Sequence, residues 1–317
     1  LPIGQENFGM TSNPAKPVRH LVVIGLGLIG GSLAMAARQR GVCERVIGVV
    51  RSADVQAKAV ALGVVDQAVL SLQDIAAGLG EGDVIFVAVP TLSVRGVLSQ
   101  IQSLVSPQVT ITDGASVKGS VLEDVRAVYG TIPPQVVLGH PIAGSEKSGV
   151  EASNPNLYAK HRVILTPTAE TDPQHHERVA HLWCAVGAEV LELSVAEHDE
   201  ILASTSHLPH AIAFSLVDTL AHDSNNEQIF RYAAGGFRDF TRIASSDAVM
   251  WRDIMLANDK AVIKAIDLFI ANVTRLRQAI ETGDAQTLLD TFLRAKAARD
   301  HFSRMLDLRN GISLEAE

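Results

Sequence analysis

Four segments of this chain hold residue types that do chemistry, at spacings that suit it. The first is Asp113-Gly114-Ala115-Ser116-Val117-Lys118-Gly119. The second is Gly139-His140-Pro141-Ile142-Ala143-Gly144-Ser145-Glu146-Lys147-Ser148-Gly149. Both follow β-branched runs. A histidine just past a strand, pinned by Pro141, is placed for proton abstraction. The ordinary histidine pKa, about 6.5, suits a base near neutrality. The third is Ser204-Thr205-Ser206-His207-Leu208-Pro209-His210. His207 and His210 share a face if the segment is helical. No Asp, Glu or Cys completes a ligand set there, so no metal is expected. The fourth runs from Gly235 to Asp247 and carries Arg238 and Arg242, spaced for one face of an expected helix. One or both arginines clamp a carboxylate through charge-assisted bonds, or they pair with Asp239 or Asp247.

A fifth feature lies nearer the start. Leu21-Val22-Val23-Ile24 leads into Gly25-Leu26-Gly27-Leu28-Ile29-Gly30-Gly31-Ser32. This is a GxGxxG loop between a strand and a helix. Gly25 permits a tight turn, Gly27 lets a pyrophosphate approach the backbone, and Gly30 lets helix and strand pack closely. Leu28 and Ile29 open the helix, whose N-terminus faces the anion. The loop is expected to bind a dinucleotide. Val89 and Pro90, at the carboxyl end of a later run, belong to the same crevice. An acid at the tip of the second strand, about 20 residues on, usually reads the ribose hydroxyl of NAD. Here the tip reads Gly48-Val49-Val50-Arg51-Ser52. The acid is missing, and Arg51 beside Ser52 suits a 2′-phosphate, so NADP is expected over NAD. If Arg51 is only a solvated surface residue, both cofactors work.

These residues need elements to position them. From Arg19 to about Leu193 the chain alternates β-branched runs with helical stretches. The runs are His20 to Gly25, Arg45 to Val50, Asp83 to Val89, Val109 to Asp113, Val136 to Gly139, Arg162 to Pro167 and Glu189 to Leu193. Amphipathic stretches include Gly30 to Arg40, Asp54 to Leu62 and Ser93 to Val105. The pattern predicts an α/β fold, a doubly wound parallel sheet of the Rossmann type with helices on both faces. The dinucleotide-binding domain is expected over residues 18–195. An all-helical substrate and dimerisation domain should fill 196–317. Its best helix carries Val262, Ile266, Phe269, Val273, Leu276 and Ile280 as one stripe, with Ile263 and Ile270 on a second side. A helix apolar on two sides needs a cover. Burial within one chain supplies it, or a homodimer does, and the homodimer is the expectation. Residues 1–17 read as a disordered arm or an expression remnant.

Bulk properties narrow the partners. The chain has 317 residues, enough for two domains, and is 47% hydrophobic but only 4% aromatic, so its core is aliphatic. A net charge of −8 argues against nucleic acid or an anionic membrane surface, but not against a small anionic substrate met by local arginines. No apolar run reaches the length of about 18 residues that spans a bilayer. Cys43 and Cys184 stand alone without CxxC spacing and read as buried thiols of a reducing compartment, so a cytoplasmic location is expected.

Taken together, these motifs resemble the prephenate/arogenate (cyclohexadienyl) dehydrogenase family, from Val22 to about Leu308. The HPxAGxExxG segment at His140, the SHLPH segment and the GGFxDxTRIA segment occur in the family's order. The resemblance implies oxidative decarboxylation of prephenate or arogenate, to 4-hydroxyphenylpyruvate or tyrosine, within tyrosine biosynthesis. It implies His140 as the base toward the substrate hydroxyl and Ser116 as the residue that orients that histidine and the nicotinamide. His210 and Arg242 would bind substrate, Arg242 at a carboxylate, with His207 and Arg238 beside them and Glu146 at the cleft mouth. Two alternatives stay open. One is a β-hydroxy acid dehydrogenase of the same plan, although Lys260 and Lys264 look like solvated helix residues rather than its lysine. The other is a non-catalytic dinucleotide sensor, which would need no base.

Overall fold

The computed structural model describes residues 18–144 and 147–309. The first seventeen residues and Glu146 lie outside the described residues. The chain divides after Val262 into two compact units.

In the first unit, six parallel strands form one sheet: β1 (Val18–Ile24), β2 (Cys43–Val49), β3 (Gln67–Val69), β4 (Val84–Val87), β5 (Thr110–Asp113) and β6 (Val136–Val137). Their order is β3-β2-β1-β4-β5-β6. The direction of winding reverses between β1 and β4, which pair from Leu21 opposite Val84 to Ile24 opposite Val87. Ligand crevices of doubly wound sheets open at that point, beyond the carboxyl ends of the strands. The helices between them are α1 (Leu28–Gln39), α2 (Ala53–Ala61), the short α3 (Gln73–Ala76), α4 (Val94–Leu104) and α5 (Lys118–Tyr129).

Strand periodicity explains why both faces are covered. Leu21 and Val23 of β1, with Val84 and Phe86 of β4, enter one core with Leu33 and Ala37 of α1 and Trp183. Their alternate neighbours Val22, Ile24, Ile85 and Val87 enter a second core with Leu98 of α4 and Val121 of α5. Each buried Leu, Val or Ile among them contributes about 1.5–3 kcal/mol relative to exposure.

The last three β-branched runs do not all join this sheet. Strands β7 (Gly139–Ile142), β8 (Arg162–Leu165) and β9 (Glu189–Glu192) form a separate sheet, with β7 antiparallel to β8 and β8 parallel to β9. The run expected from Val136 to Gly139 breaks at Leu138 into β6 and β7. His140 therefore lies within a strand rather than just past one. Helix α6 (Pro173–Ala185) returns from β8 to β9 and sends Val179, Leu182 and Trp183 into the first core. The expectation of two buried thiols is also corrected: Cys43 is half-buried and Cys184 exposed, because only one stripe of α6 faces inward.

Helices follow: α7 (Val195–Leu202), a single π turn (Ala203–His207), α8 (Leu208–Ala221), α9 (Asn226–Arg231), α10 (Gly235–Thr241), a 3-10 turn (Arg242–Ser245), α11 (Ala248–Ala257), α12 (Asp259–Thr282) and α13 (Ala285–Arg309). The second unit holds most of α12 and all of α13. Its apolar residues Ile263, Phe269, Ile270 and Val273 are exposed, as are Phe292 and Leu293. Among the described residues no helix is long and apolar enough to cross a membrane.

Candidate active site

The glycine loop follows β1 directly. Gly25 has φ +96°, a left-handed value, and a Cβ there would meet the carbonyl oxygen of Ala88 at 2.4 Å. A Cβ at Gly30 would stand 2.0 Å from Gly25 O, so α1 crosses the strand too closely for any side chain. Gly27 is different. It precedes the first turn of α1, no side chain caps that turn, and a Cβ there would meet nothing within 4 Å. The first intrahelical bond runs from Gly31 N–H to Gly27 O at 2.8 Å. The N–H groups of Leu28, Ile29 and Gly30 thus have no acceptor within the helix. An open approach beside unclaimed amides at a helix N-terminus fits a pyrophosphate. Buried Tyr158 steadies this turn by donating its hydroxyl to Ile29 O at 2.6 Å.

The tip of β2 is exposed at Arg51 and Ser52, and Ser52 caps α2 by accepting Val55 N–H. Val89 is half-buried and Pro90 exposed at the end of β4. The segment carrying Ser116 abuts the glycine loop, for a Cβ on Gly114 would lie 3.4 Å from Ile29 Cγ2. Ser116 itself is half-buried in the turn before α5.

His140 is held from below and from the side. Below it, Lys118 is fully buried and ion-paired with Asp113, and its Nζ donates to Gly139 O at 2.5 Å. Asp113 also accepts Gly139 N–H at 3.2 Å. The backbone of β7 is thereby tied to β5 at the residue before the histidine. From the side, His140 Nδ1 lies 2.9 Å from His198 Nε2. His198 Nδ1 in turn bonds Asp199 at 2.7 Å. Asp199 also accepts Lys118 N–H at 2.9 Å and Gly119 N–H at 2.7 Å. Sequence reasoning singled out neither His198 nor Asp199. The signal was a His-Asp pair in the first turns of α7, which opens with a capping box from Ser194 and Glu197.

Burial sets the protonation of this cluster. It pushes His140 far below the ordinary histidine value, and His198, Lys118 and His207 reinforce the shift. His198 is lowered by burial despite its bond to Asp199. Burial brings His207 to about 4. Asp199 moves the other way for a charged form: burial raises its pKa, but His198 and the two amides outweigh that and leave it below the usual carboxylate value.

The π turn places the remaining histidines. His207 Nδ1 accepts from the Asn258 amide at 3.2 Å, and that amide also donates to Asp199 O at 2.9 Å. His210 donates Nδ1–H to Ser206 O at 2.8 Å and stacks on Trp251, with ring centres 3.5 Å apart and planes at 18°. Arg242 is exposed and close enough to His210 to lower its pKa, a smaller effect than burial. Arg238 and Arg242 do not share one helix. Helix α10 ends at Thr241, Arg242 starts the 3-10 turn, and exposed Arg238 pairs with its neighbour Asp239 at 3.4 Å. Asp247 instead caps α11 through Met250 N–H.

The structure thus gathers His140 and His207 with His198, and sets His210 beside Arg242. Comparison with known proteins gives the family. The model of the prephenate dehydrogenase nucleotide-binding domain matches residues 33–192, and that of the prephenate dehydrogenase dimerization domain matches 194–294. A cyclohexadienyl dehydrogenase of Zymomonas mobilis is 36% identical, covering 89% of this chain and 95% of its own. A prephenate dehydrogenase of Bacillus subtilis is 37% identical, covering 88% of this chain and 75% of its own. The crystal structure of prephenate dehydrogenase from Aquifex aeolicus, in complex with hydroxyphenyl propionate and NAD+, superposes with a TM-score of 0.84. It is 37% identical and covers 91% of this chain and 99% of its own. With both halves matched in order around one histidine cluster, this chain belongs to the prephenate dehydrogenase family.

Proposed function

We propose that this protein oxidatively decarboxylates prephenate, arogenate or both, with His140 as the base and NADP preferred over NAD. The observation that carries the reading is a buried histidine, kept unprotonated, on a strand tied to the end of β5, whose following segment abuts the glycine loop. The open approach at Gly27 and the first-turn amides of α1 would hold the pyrophosphate, and Arg51 with Ser52 a 2′-phosphate. Val89 and Pro90 would border the nicotinamide. A nicotinamide held there supplies the acceptor for the hydride that leaves the hydroxyl-bearing ring carbon as carbon dioxide departs and the ring becomes aromatic.

The remaining work falls to the chain. His140 Nε2 takes the substrate hydroxyl proton and returns it to the oxygen of the aromatic product, so no proton is consumed overall. Ser116 orients the reacting groups. Arg242 holds a carboxylate, with His210 fixed on Trp251 beside it, and His207 and Arg238 complete the substrate side. Burial of the cluster excludes water.

We assign residues 18–195 to dinucleotide binding and 196–317 to substrate binding and dimerisation. A homodimer would cover the exposed apolar residues of α12 and α13. The test is formation of reduced cofactor from each substrate with each cofactor, on the wild type and on His140→Asn. The reading expects turnover with at least one substrate, faster with NADP, and a loss of about 10²–10⁴-fold in kcat for the variant. No turnover in any combination would end it, and a tenfold preference for NAD would end the cofactor assignment.

A further inference from the structure

We infer that His198 is a positioning residue. Through its bond to Asp199, it fixes which nitrogen of His140 carries the proton. The inference rests on the reading of His140 as the base, but its observable is the ring itself.

A chain of donors and acceptors runs outward from Asp199. Its carboxylate faces three groups: His198 Nδ1, Lys118 N–H and Gly119 N–H. The two backbone amides can only donate. An ionised carboxylate can only accept, so His198 Nδ1 must carry a hydrogen. In a neutral imidazole the other nitrogen is then an acceptor. His198 Nε2 is that atom, and His140 Nδ1 lies 2.9 Å from it. His140 must therefore donate from Nδ1, which leaves Nε2 as its basic atom.

The alternative is a doubly protonated His198. It would donate from Nε2, push the His140 proton onto Nε2 and abolish the base. Every charged or titratable group around the pair bears on this choice. Lys118 from α5 opposes a second positive charge on either ring, and so does His207 on His140. Asp113 and Asp199 favour one on His198. Asp113 is already paired with Lys118, and His198 is fully buried. Burial is the largest influence on His198, and it favours the neutral ring.

The test reads the proton position directly. Ring-nitrogen NMR of isotope-labelled histidine in the whole protein, assigned by His140→Asn, should show His140 protonated at Nδ1. His198→Leu removes the acceptor, while His198→Gln keeps one at a similar reach. In the Leu variant the Nδ1 form should no longer dominate. Its kcat should fall about tenfold or more, within the range a general base supplies, with KM little changed. The Gln variant should recover most of both signals. Wild-type His140 protonated at Nε2 overturns the inference, as does a Leu variant with unchanged tautomer and kcat. If the Leu variant fails to fold, the wild-type and Gln spectra still decide. An Nδ1–H signal in a protein that turns over neither substrate would sink the proposed function and leave this inference standing.

Discussion

Replacing Asp199 with Asn tests the hydrogen-bond accounting around the base. Oδ1 of Asp199 accepts from His198 and from Lys118 N–H, and Oδ2 accepts from Gly119 N–H. An amide has one accepting oxygen and one donating nitrogen. With its nitrogen at the Oδ1 position it would confront two donors; at the Oδ2 position, only one. The oxygen should therefore stay with His198 and Lys118, and the His198 tautomer should survive. The cost is the orphaned Gly119 amide, about 1–3 kcal/mol, plus the weakening of two charge-assisted bonds to neutral ones. A total of about 3 kcal/mol lowers Tm by roughly 6–12 °C for a unit of this size. Calorimetry on Asp199→Asn should show that loss, and kinetics should show kcat reduced by less than about tenfold. A fall in kcat beyond about 10³-fold with Tm unchanged would refute the reasoning, because the amide would then have reversed the tautomers.

Four further outcomes are expected. Burial lowers the folded-state pKa of His207 to about 4, so an unfolded His207 binds its proton first as pH falls. Stability present above about pH 6.5 is lost as pH falls toward 4, by about 3 kcal/mol from this residue; His207→Gln should flatten Tm against pH across that window. Arg242→Ala should raise KM by about tenfold or more, the loss of a charge-assisted contact worth about 1.5–3 kcal/mol, whereas Arg238→Ala should raise it by less; the reverse ranking would transfer the carboxylate to Arg238. Arg51→Ala should weaken NADP while sparing NAD, as read from the KM for each cofactor, and equal effects on both would remove Arg51 from the 2′-phosphate site. Gly27→Ala should fold with an unchanged Tm but bind dinucleotide poorly, while Gly30→Ala, whose Cβ would meet the Gly25 carbonyl, should lose stability outright; titration calorimetry and thermal melts separate the two.

Much of the cofactor side was legible because its rules are local. A glycine needing φ +96° and another with no room for a Cβ leave their mark in the residue type itself. The alternation of Leu21, Val22, Val23 and Ile24 reads as a strand covered on both faces, and it is. Strand β3 escaped notice because Gln67–Val69 is three residues long and lacks a β-branched run. The second sheet escaped because sequence periodicity reports strands, not their partners. On the chemical side, His140, His207, His210 and Arg242 stood out through their motifs. Lys118 was quoted but given no role, since nothing local says that a lysine will be sealed beneath a strand at the Gly139 carbonyl. His198 and Asp199 lie 58 and 59 residues from His140, and their importance is purely a matter of contact in space. The break between α10 and Arg242 was also invisible, because no glycine or proline marks it.

The π turn at Ala203–His207 puts a physical constraint on chain length itself in this half of the molecule. An ordinary helix advances by about 100° per residue, so dropping one residue here would swing everything after it by that angle. His210 would leave the face of Trp251, and His207 would lose Asn258. The chain should therefore tolerate a change of side chain at positions 204 and 205, both exposed, far better than a change in how many residues stand there.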